Sequence, residues 1–198
     1  MSRRVRHHPA LPMLAALALL AAPLAVRGGD PAPREYLDQE TAATVMAAAR
    51  PLVFANPRTE LAANARDYVT LAAAAVDRGG KLTFVWVAYF WSTVDPRMRT
   101  EPLPAPAKIT VEADDRRIEL ELRGDGPHDA GIGVPVDPPP GPAGPPRVYG
   151  TDLETLRFIG AARRVALLID SDGTRLTYGL WDDQRRALQA LIRRIDGG

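Results

Sequence analysis

The sequence predicts an α+β fold, a single domain built mainly from antiparallel β hairpins with two helices in its last fifty residues. Three observations predict it. Two apolar runs meet at Gly79-Gly80, which reads as a long hairpin with a glycine turn. Two further stretches, 108–122 and 163–181, alternate apolar and polar residues around a short polar turn. After residue 150 the apolar spacing lengthens twice to the three-and-four of an amphipathic helix.

Residues 1–28 precede that domain. A basic lead, "MSRRVRHH", an apolar run, "LPMLAALALLAAPLAV", and the small residues of "RGG" form the pattern of a secretory signal peptide, with cleavage expected between Ala25 and Gly29. A membrane anchor would need about twenty apolar residues, and Leu11 to Val26 is shorter and broken by Pro12 and Pro23. The chain has no cysteine, which excludes the lipid-modified terminus of a bacterial lipoprotein and leaves no transmembrane segment in the expected mature chain. Loss of Arg3, Arg4, Arg6 and Arg27 takes the formal charge from +1 to −3, four cations fewer. The basic pI therefore belongs to the leader and gives no argument for nucleic acid. Lysine is confined to Lys81 and Lys108 among 25 basic residues, the skew of a GC-rich bacterial genome. With the leader it points to a Gram-negative periplasm, where disulfides could persist, yet stability here must come from burial alone.

Residues 29–35, "GDPAPRE", read as a flexible lead. The folded domain is expected over 36–198. From Tyr36 to Pro57 helix-favouring alanines compete with Val45, Val53, Phe54 and Pro51, and strands are the reading adopted. "PRTELAANAR" suggests one helical turn. In the long hairpin, a two-residue turn at Gly79-Gly80 sets Arg78 opposite Lys81, Ala75 opposite Phe84, Ala73 opposite Trp86 and Leu71 opposite Ala88. The alanines give the aromatic side chains room. "TFVWVAYFW", residues 83–91, holds five of the twelve aromatic residues. It is too short to span a membrane, and both of its faces are apolar: Phe84, Trp86 and Phe90 on one, Val85, Val87, Tyr89 and Trp91 on the other. It is therefore expected to be a central strand, covered on both sides, rather than an exposed stripe.

After the loop "PRMRTEPLPAPA", Ile109, Val111 and Ala113 alternate with polar residues, as do Ile118, Leu120 and Leu122, giving a second hairpin with one wet face. The glycine- and proline-dense stretch 124–147 can form neither ladder nor helix and is expected as a long surface loop, in part polyproline II. Proline-binding domains that would read it are mostly intracellular modules. "TDLE" proposes Thr151 as helix N-cap with Glu154 completing a capping box, and Leu153, Leu156 and Ile159 supply the apolar face. "RRVALLID", a turn at Asp172-Gly173 and "RLTYGLW" give the third hairpin. A last helix is expected to start at Asp182 or Asp183, with Leu188, Leu191, Ile192 and Ile195 facing inward.

Inventory limits the chemistry. His128 is the one histidine after the leader, so a His/Cys zinc site and thiol catalysis are excluded. Ser92 and Ser171 lie in no nucleophile elbow, and nothing in the "GDGPHDAGIG" loop would orient His128 for a triad. "DSDGT" at 170–174 fails the spacing of a calcium loop. Asp114 with Asp115 fits a turn, and Asp182 with Asp183 fits a helix start, better than either fits an acid/base couple. No phosphate loop or dinucleotide fingerprint is present. No catalytic residue, metal ligand or cofactor site is assigned.

The stretches "EYLDQETAATV…RPLVFANP", "NARDYVTLAAAAVDRGGKLTFVWVAYFWST" and "YGTDLETLRFIGAA…LTYGLWDDQRRALQALI" together resemble a loose group of exported Gram-negative envelope proteins without an assigned activity. The resemblance covers most of the mature chain and brings no catalytic motif. The expectation is a non-enzymatic periplasmic protein that binds an envelope partner or ligand, or helps maintain the envelope. The alternative is a small hydrolase that uses carboxylates alone on a glycan or small molecule. Where the central strand ends, Trp91, Ser92, Thr93 and Asp95, with Arg97, Arg99 and Tyr149 and the loop "PPPGPAGPPR", are the candidate partner-binding patch, suited to an acidic or carbohydrate-like ligand.

Overall fold

The computed structural model describes residues 31–99, 102–171 and 173–197, so the expected signal peptide lies outside the described residues. Ten strands and two helices follow in order: β1 Arg34–Asp38, β2 Ala43–Ala47, β3 Leu52–Pro57, β4 Arg66–Arg78, β5 Lys81–Ser92, β6 Lys108–Ala113, β7 Arg116–Glu121, β8 Arg147–Thr151, α1 Leu153–Ala161, β9 Val165–Ser171, β10 Thr174–Asp182 and α2 Arg185–Asp196. All strand pairing is antiparallel, and the architecture is mainly β with one helix closing the chain.

The β4–β5 hairpin organises the sheet. Gly79 and Gly80 take φ of +62° and +80°, a left-handed pair that glycine adopts without a Cβ penalty. Register then follows as the sequence implies: Ala75 faces Phe84, Ala73 faces Trp86 and Leu71 faces Ala88. Both faces of residues 85–90 are buried, and Trp86 is 1% exposed. The far edge of β4 is long enough to serve two strands, β3 beside residues 66–71 and β2 beside residues 74–77.

From that centre the sheet curls back on itself. β3 pairs β10, β10 pairs β9, β9 pairs β6 and β6 pairs β7, while β5 pairs β8 on the other side. The ring closes where Leu122 bridges Tyr149 and the Arg123 N–H donates to the Val148 carbonyl at 2.7 Å. Eight strands thus surround one apolar core holding Phe54, Leu71, Trp86, Ile109, Leu167 and Tyr178. The helices complete it: Leu156 and Ile159 of α1 and Leu188 and Leu191 of α2 enter the same core. Gly160 faces α2, where an added Cβ would make ordinary van der Waals contact with Ile192 and Leu188 at 3.4 and 3.5 Å. Among the described residues no helix is long and apolar enough to cross a membrane.

Four local expectations are corrected. Thr151 does not cap α1; it ends β8 opposite Phe84, and Asp152 caps the helix by accepting the Thr155 N–H at 2.7 Å. α2 begins at Arg185, because Asp182 still belongs to β10 opposite Val53. β1 begins at Arg34, inside the stretch read as a flexible lead. The fourth concerns 124–147. This segment does run over the surface without strand or α-helix, but it is packed down: it straps the outer face of β2, β4 and β5, burying Ala130, Ile132 and Val136 against Val45, Ala72, Ala74, Val85 and Val87.

The strap is pinned by Asp38. That buried carboxylate accepts the Glu40 and Thr41 N–H groups through Oδ1, and the Gly133 and Val134 N–H groups through Oδ2 at 2.7 and 2.9 Å. Burial pushes its pKa up, but the N–H donors outweigh burial and leave it below the ordinary aspartate value. The Thr41 hydroxyl donates to the Gly131 carbonyl at 2.8 Å, and Arg34 pairs Asp137 at 2.6 Å.

Candidate functional site

Beyond the strap, the outer face of the sheet carries a row that crosses four strands: Trp91 on β5, Tyr68 on β4, Ala55 on β3 and Gly179 on β10. Side chains two residues apart on a strand share a face, so this row continues the apolar face that the strap covers further along. Trp91 stacks on Tyr68 with ring centroids 4.2 Å apart and planes 12° from parallel. Its Nε1–H donates to Thr70 Oγ1 at 3.0 Å, which fixes the ring. Ala55 and Gly179 form a low floor beside the stack; Ala55 and Tyr68 are themselves buried, and only at Gly179 would an added Cβ meet nothing within 4 Å.

Trp181 forms the wall of that floor. Register between β10 and β3 slips between Leu180 and Asp182, so Trp181 is the extra residue of a β-bulge and has no partner on β3. It is 58% exposed, stands edge-on to Tyr68 at 6.2 Å and 77°, and lies beneath the Arg66 guanidinium at 4.7 Å. The arrangement is an aromatic shelf with one cation at its rim.

The end of β5 supports the shelf. Ser92 Oγ donates to the Arg66 carbonyl at 3.1 Å, and the Arg66 N–H donates to Thr93 Oγ1 at 3.1 Å. Asp95 accepts the Arg97 N–H at 2.9 Å and caps a 3₁₀ turn, Pro96–Met98. Arg97 is exposed. Between this turn and residues 61–65 lies a shallow apolar cleft of about 490 Å³ lined by Leu61, Ala65, Val94 and Met98.

On the other face of the same strand end, Asp67 is buried and holds two guanidiniums, Arg99 at 2.5 Å and Arg58 at 2.7 Å. Burial raises the Asp67 pKa, yet Arg99, Ser92 and Arg58 overcome it and the carboxyl sits below its ordinary value. Tyr178 lies in the core near this triad, and its burial pushes the phenol to about 12.

Of the residues singled out in the sequence, Trp91, Ser92, Asp95 and Arg97 do gather at one end of β5. The proline loop also reaches them, since Ala143 bridges Trp91 and the Gly144 N–H donates to the Phe90 carbonyl at 3.2 Å. Arg99 turns inward to Asp67. Tyr149 is elsewhere: it is fully buried inside the ring, opposite Trp86, with its hydroxyl donating to the Pro106 carbonyl at 2.7 Å. It cannot contact a ligand at the shelf. Sequence reading missed Tyr68, Arg66 and Trp181. Alternation in β10 carried the signal for Trp181, because Leu176, Tyr178 and Leu180 face the core and leave a tryptophan pointing away from it.

Elsewhere the polar depressions are lined by groups that already hold one another. At the junction of α1 and α2, Arg185 bonds Asp183 and the Ala162 carbonyl. Asp114 accepts the Arg163 and Arg164 N–H groups at 3.0 and 2.9 Å. No family model, curated protein or solved structure matches the chain.

Proposed function

We propose that the chain is an exported, non-enzymatic binding protein of the Gram-negative periplasm, and that it takes an acidic ligand across the Tyr68–Trp91–Trp181 shelf. One observation carries this reading: a bulge presents Trp181 to solvent at 58% exposure, under Arg66 and against a fixed aromatic stack. Trp181 holds an edge contact with Tyr68 and a cation–π contact with Arg66 yet keeps more than half of its surface open, and an open aromatic face beside a cation suits a contact surface. Rigid aromatic rings give contact area at low entropic cost, and Arg66 selects for negative charge.

The hydrolase alternative would require two carboxyl groups in a cleft about 5 to 9.5 Å apart, one of them free to exchange a proton. The buried carboxylates at hand are differently engaged, Asp67 by two arginines and Asp38 by four backbone donors. The test is a titration of acidic peptides and acidic oligosaccharides followed by tryptophan emission. Binding that is lost in Trp181→Ala and weakened in Arg66→Gln, with both variants still folding cooperatively, is the expected result. A ligand bound equally well by both variants would move the site off the shelf.

A further inference from the structure

We infer that the tip of the β4–β5 hairpin docks on the surface of an anionic lipid bilayer, with Arg78 and Lys81 meeting lipid phosphates and Leu82 and Leu37 entering beside them. The tip is a separate site from the shelf, since β4 rises roughly 33 Å between Tyr68 and Arg78. A Cβ at Gly79 or Gly80 would meet nothing within 4 Å, so the turn stands clear of the rest of the molecule.

Two features of this tip do nothing for stability. The first is charge: Arg78 and Lys81 are direct cross-strand partners, both are exposed, and among the described residues neither holds a carboxylate. Like charges set opposite each other destabilise a hairpin. The acids beside them are engaged elsewhere, Asp77 by the Gly80 N–H at 2.8 Å and Glu35 by Arg194 at 3.3 Å. Without its leader the chain carries −3, that is +1 less four arginines, so attraction to an anionic surface has to be local. The tip offers it.

The second feature is apolar. Pairing runs Leu37–Thr44–Asp77–Leu82 across four strands, so the two leucines share one face at the end of the sheet, where they are 66% and 49% exposed. A groove of about 240 Å³ lined by Thr44, Met46, Ala75, Leu82 and Ile195 continues that patch inward. Cations beside protruding leucines suit a charged interface, because the heads meet phosphate while the stems and the leucines reach below it. A soluble acidic ligand would engage the cations alone and leave the leucines in water.

The test is flotation with vesicles of phosphatidylglycerol and phosphatidylcholine in equal parts. The chain used starts at Gly29, so that the leader cannot itself bind lipid, and it contains every residue of the described fold. Binding should be saturable, absent with phosphatidylcholine alone, and severalfold weaker in high salt. Arg78→Gln and Lys81→Gln should each lower affinity about fivefold. Leu37→Ser with Leu82→Ser should lower it severalfold and leave the salt dependence unchanged. Lys81→Glu separates binding from folding: it should abolish flotation while raising the melting temperature by about 1–3 °C, since a like-charge pair becomes an ion pair. Trp181→Ala should float like wild type, which keeps this site distinct from the shelf. No binding to the phosphatidylglycerol vesicles overturns the inference, as does equal binding to phosphatidylcholine or full binding by Lys81→Glu. Full affinity in the leucine variant, or displacement by excess free glycerol phosphate, would make the tip a site for a soluble anion and overturn the bilayer as its partner.

Discussion

Tyr68 and Trp91 lie face to face at 4.2 Å, and the Trp91 indole is tied to Thr70 as well. Trp181 touches the same Tyr68 only by its edge and is 58% exposed. The two tryptophans therefore divide the work of the shelf, one framing it and the other presenting it. Trp91→Ala should destabilise the chain by about 2–4 kcal/mol, from lost stacking, burial and the Thr70 hydrogen bond. Trp181→Ala should cost less, about 1 kcal/mol, from the lost edge contact with Tyr68 and the lost Arg66 contact. Denaturant melts of both variants check this, and equal losses would mean that Trp181 belongs to the frame too.

Asp67 is the residue at this end of the barrel whose removal should be felt most. Asp67→Asn leaves the Arg58 and Arg99 guanidiniums facing each other without their shared counter-charge, at a cost of about 3 kcal/mol or more. The measurement is the urea midpoint of the variant at neutral pH, and a change below about 0.5 kcal/mol would mean that the two arginines reorganise freely.

Asp38 and Asp67 both have folded-state pKa values below their unfolded ones. Each therefore contributes stability that is present above the unfolded value and lost as pH falls through the folded one. Asp137 has the opposite sign, since burial holds its pKa up against the pull of Arg34. Its contribution is full below the unfolded value and lost as pH rises through the folded one. Glu60, Asp114, Asp170 and Asp183 are lowered as well, so the acid-sensitive carboxylates prevail and stability should fall below about pH 4. Urea midpoints from neutral to acid pH check it, and Asp38→Asn should make the acid limb shallower.

What the sequence made legible was local. Gly79-Gly80 set a register that extends from Arg78 opposite Lys81 to Asp67 opposite Ser92, because a two-residue turn leaves no freedom in pairing and both faces of β5 had to be buried. The hairpins at 108–122 and 163–181 followed from alternation in the same way. Closure of the ring was not legible, since it depends on the Leu122–Tyr149 bridge and the Arg123–Val148 hydrogen bond, between segments that share no turn. For the same reason Tyr149 read as a surface residue: it follows closely on Pro145, Pro146 and Arg147, and only β5 together with Leu122 encloses it. The strap hid its buried Ala130, Ile132 and Val136 among glycine and proline, a composition with no period to read. Trp181 was half legible, its outward alternation visible in β10 but its bulge dependent on the partner strand.

Export is a prediction independent of the fold. The leader pattern places cleavage between Ala25 and Gly29, so protein recovered from the producing cell should begin between residues 26 and 30 by intact mass. A cytoplasmic product that retains Met1 or Ser2 would remove the periplasm from the functional reading and leave the shelf unaffected.

Gly131 decides whether the strap can lie down. It takes φ of +84°, and a Cβ there would come within 2.9 Å of Val76 Cγ1 and 3.4 Å of the Ala43 Cβ. Its carbonyl also accepts the Thr41 hydroxyl, so the backbone cannot shift without losing that bond. Gly131→Ala should combine a left-handed penalty of about 1–2 kcal/mol with the clash against β4, for a total of about 2–4 kcal/mol. The loss should be local: limited proteolysis should cut within 124–146 before the ring of strands unfolds, because Ala130, Ile132 and Val136 lose their cover together. Gly126 is the control. Its φ of −173° is open to any residue and a Cβ there meets nothing within 4 Å, so Gly126→Ala should leave both stability and cleavage rate close to wild type. Equal behaviour of the two variants would show that Ala43 and Val76 yield, and that the strap is held by the Asp38 pin alone.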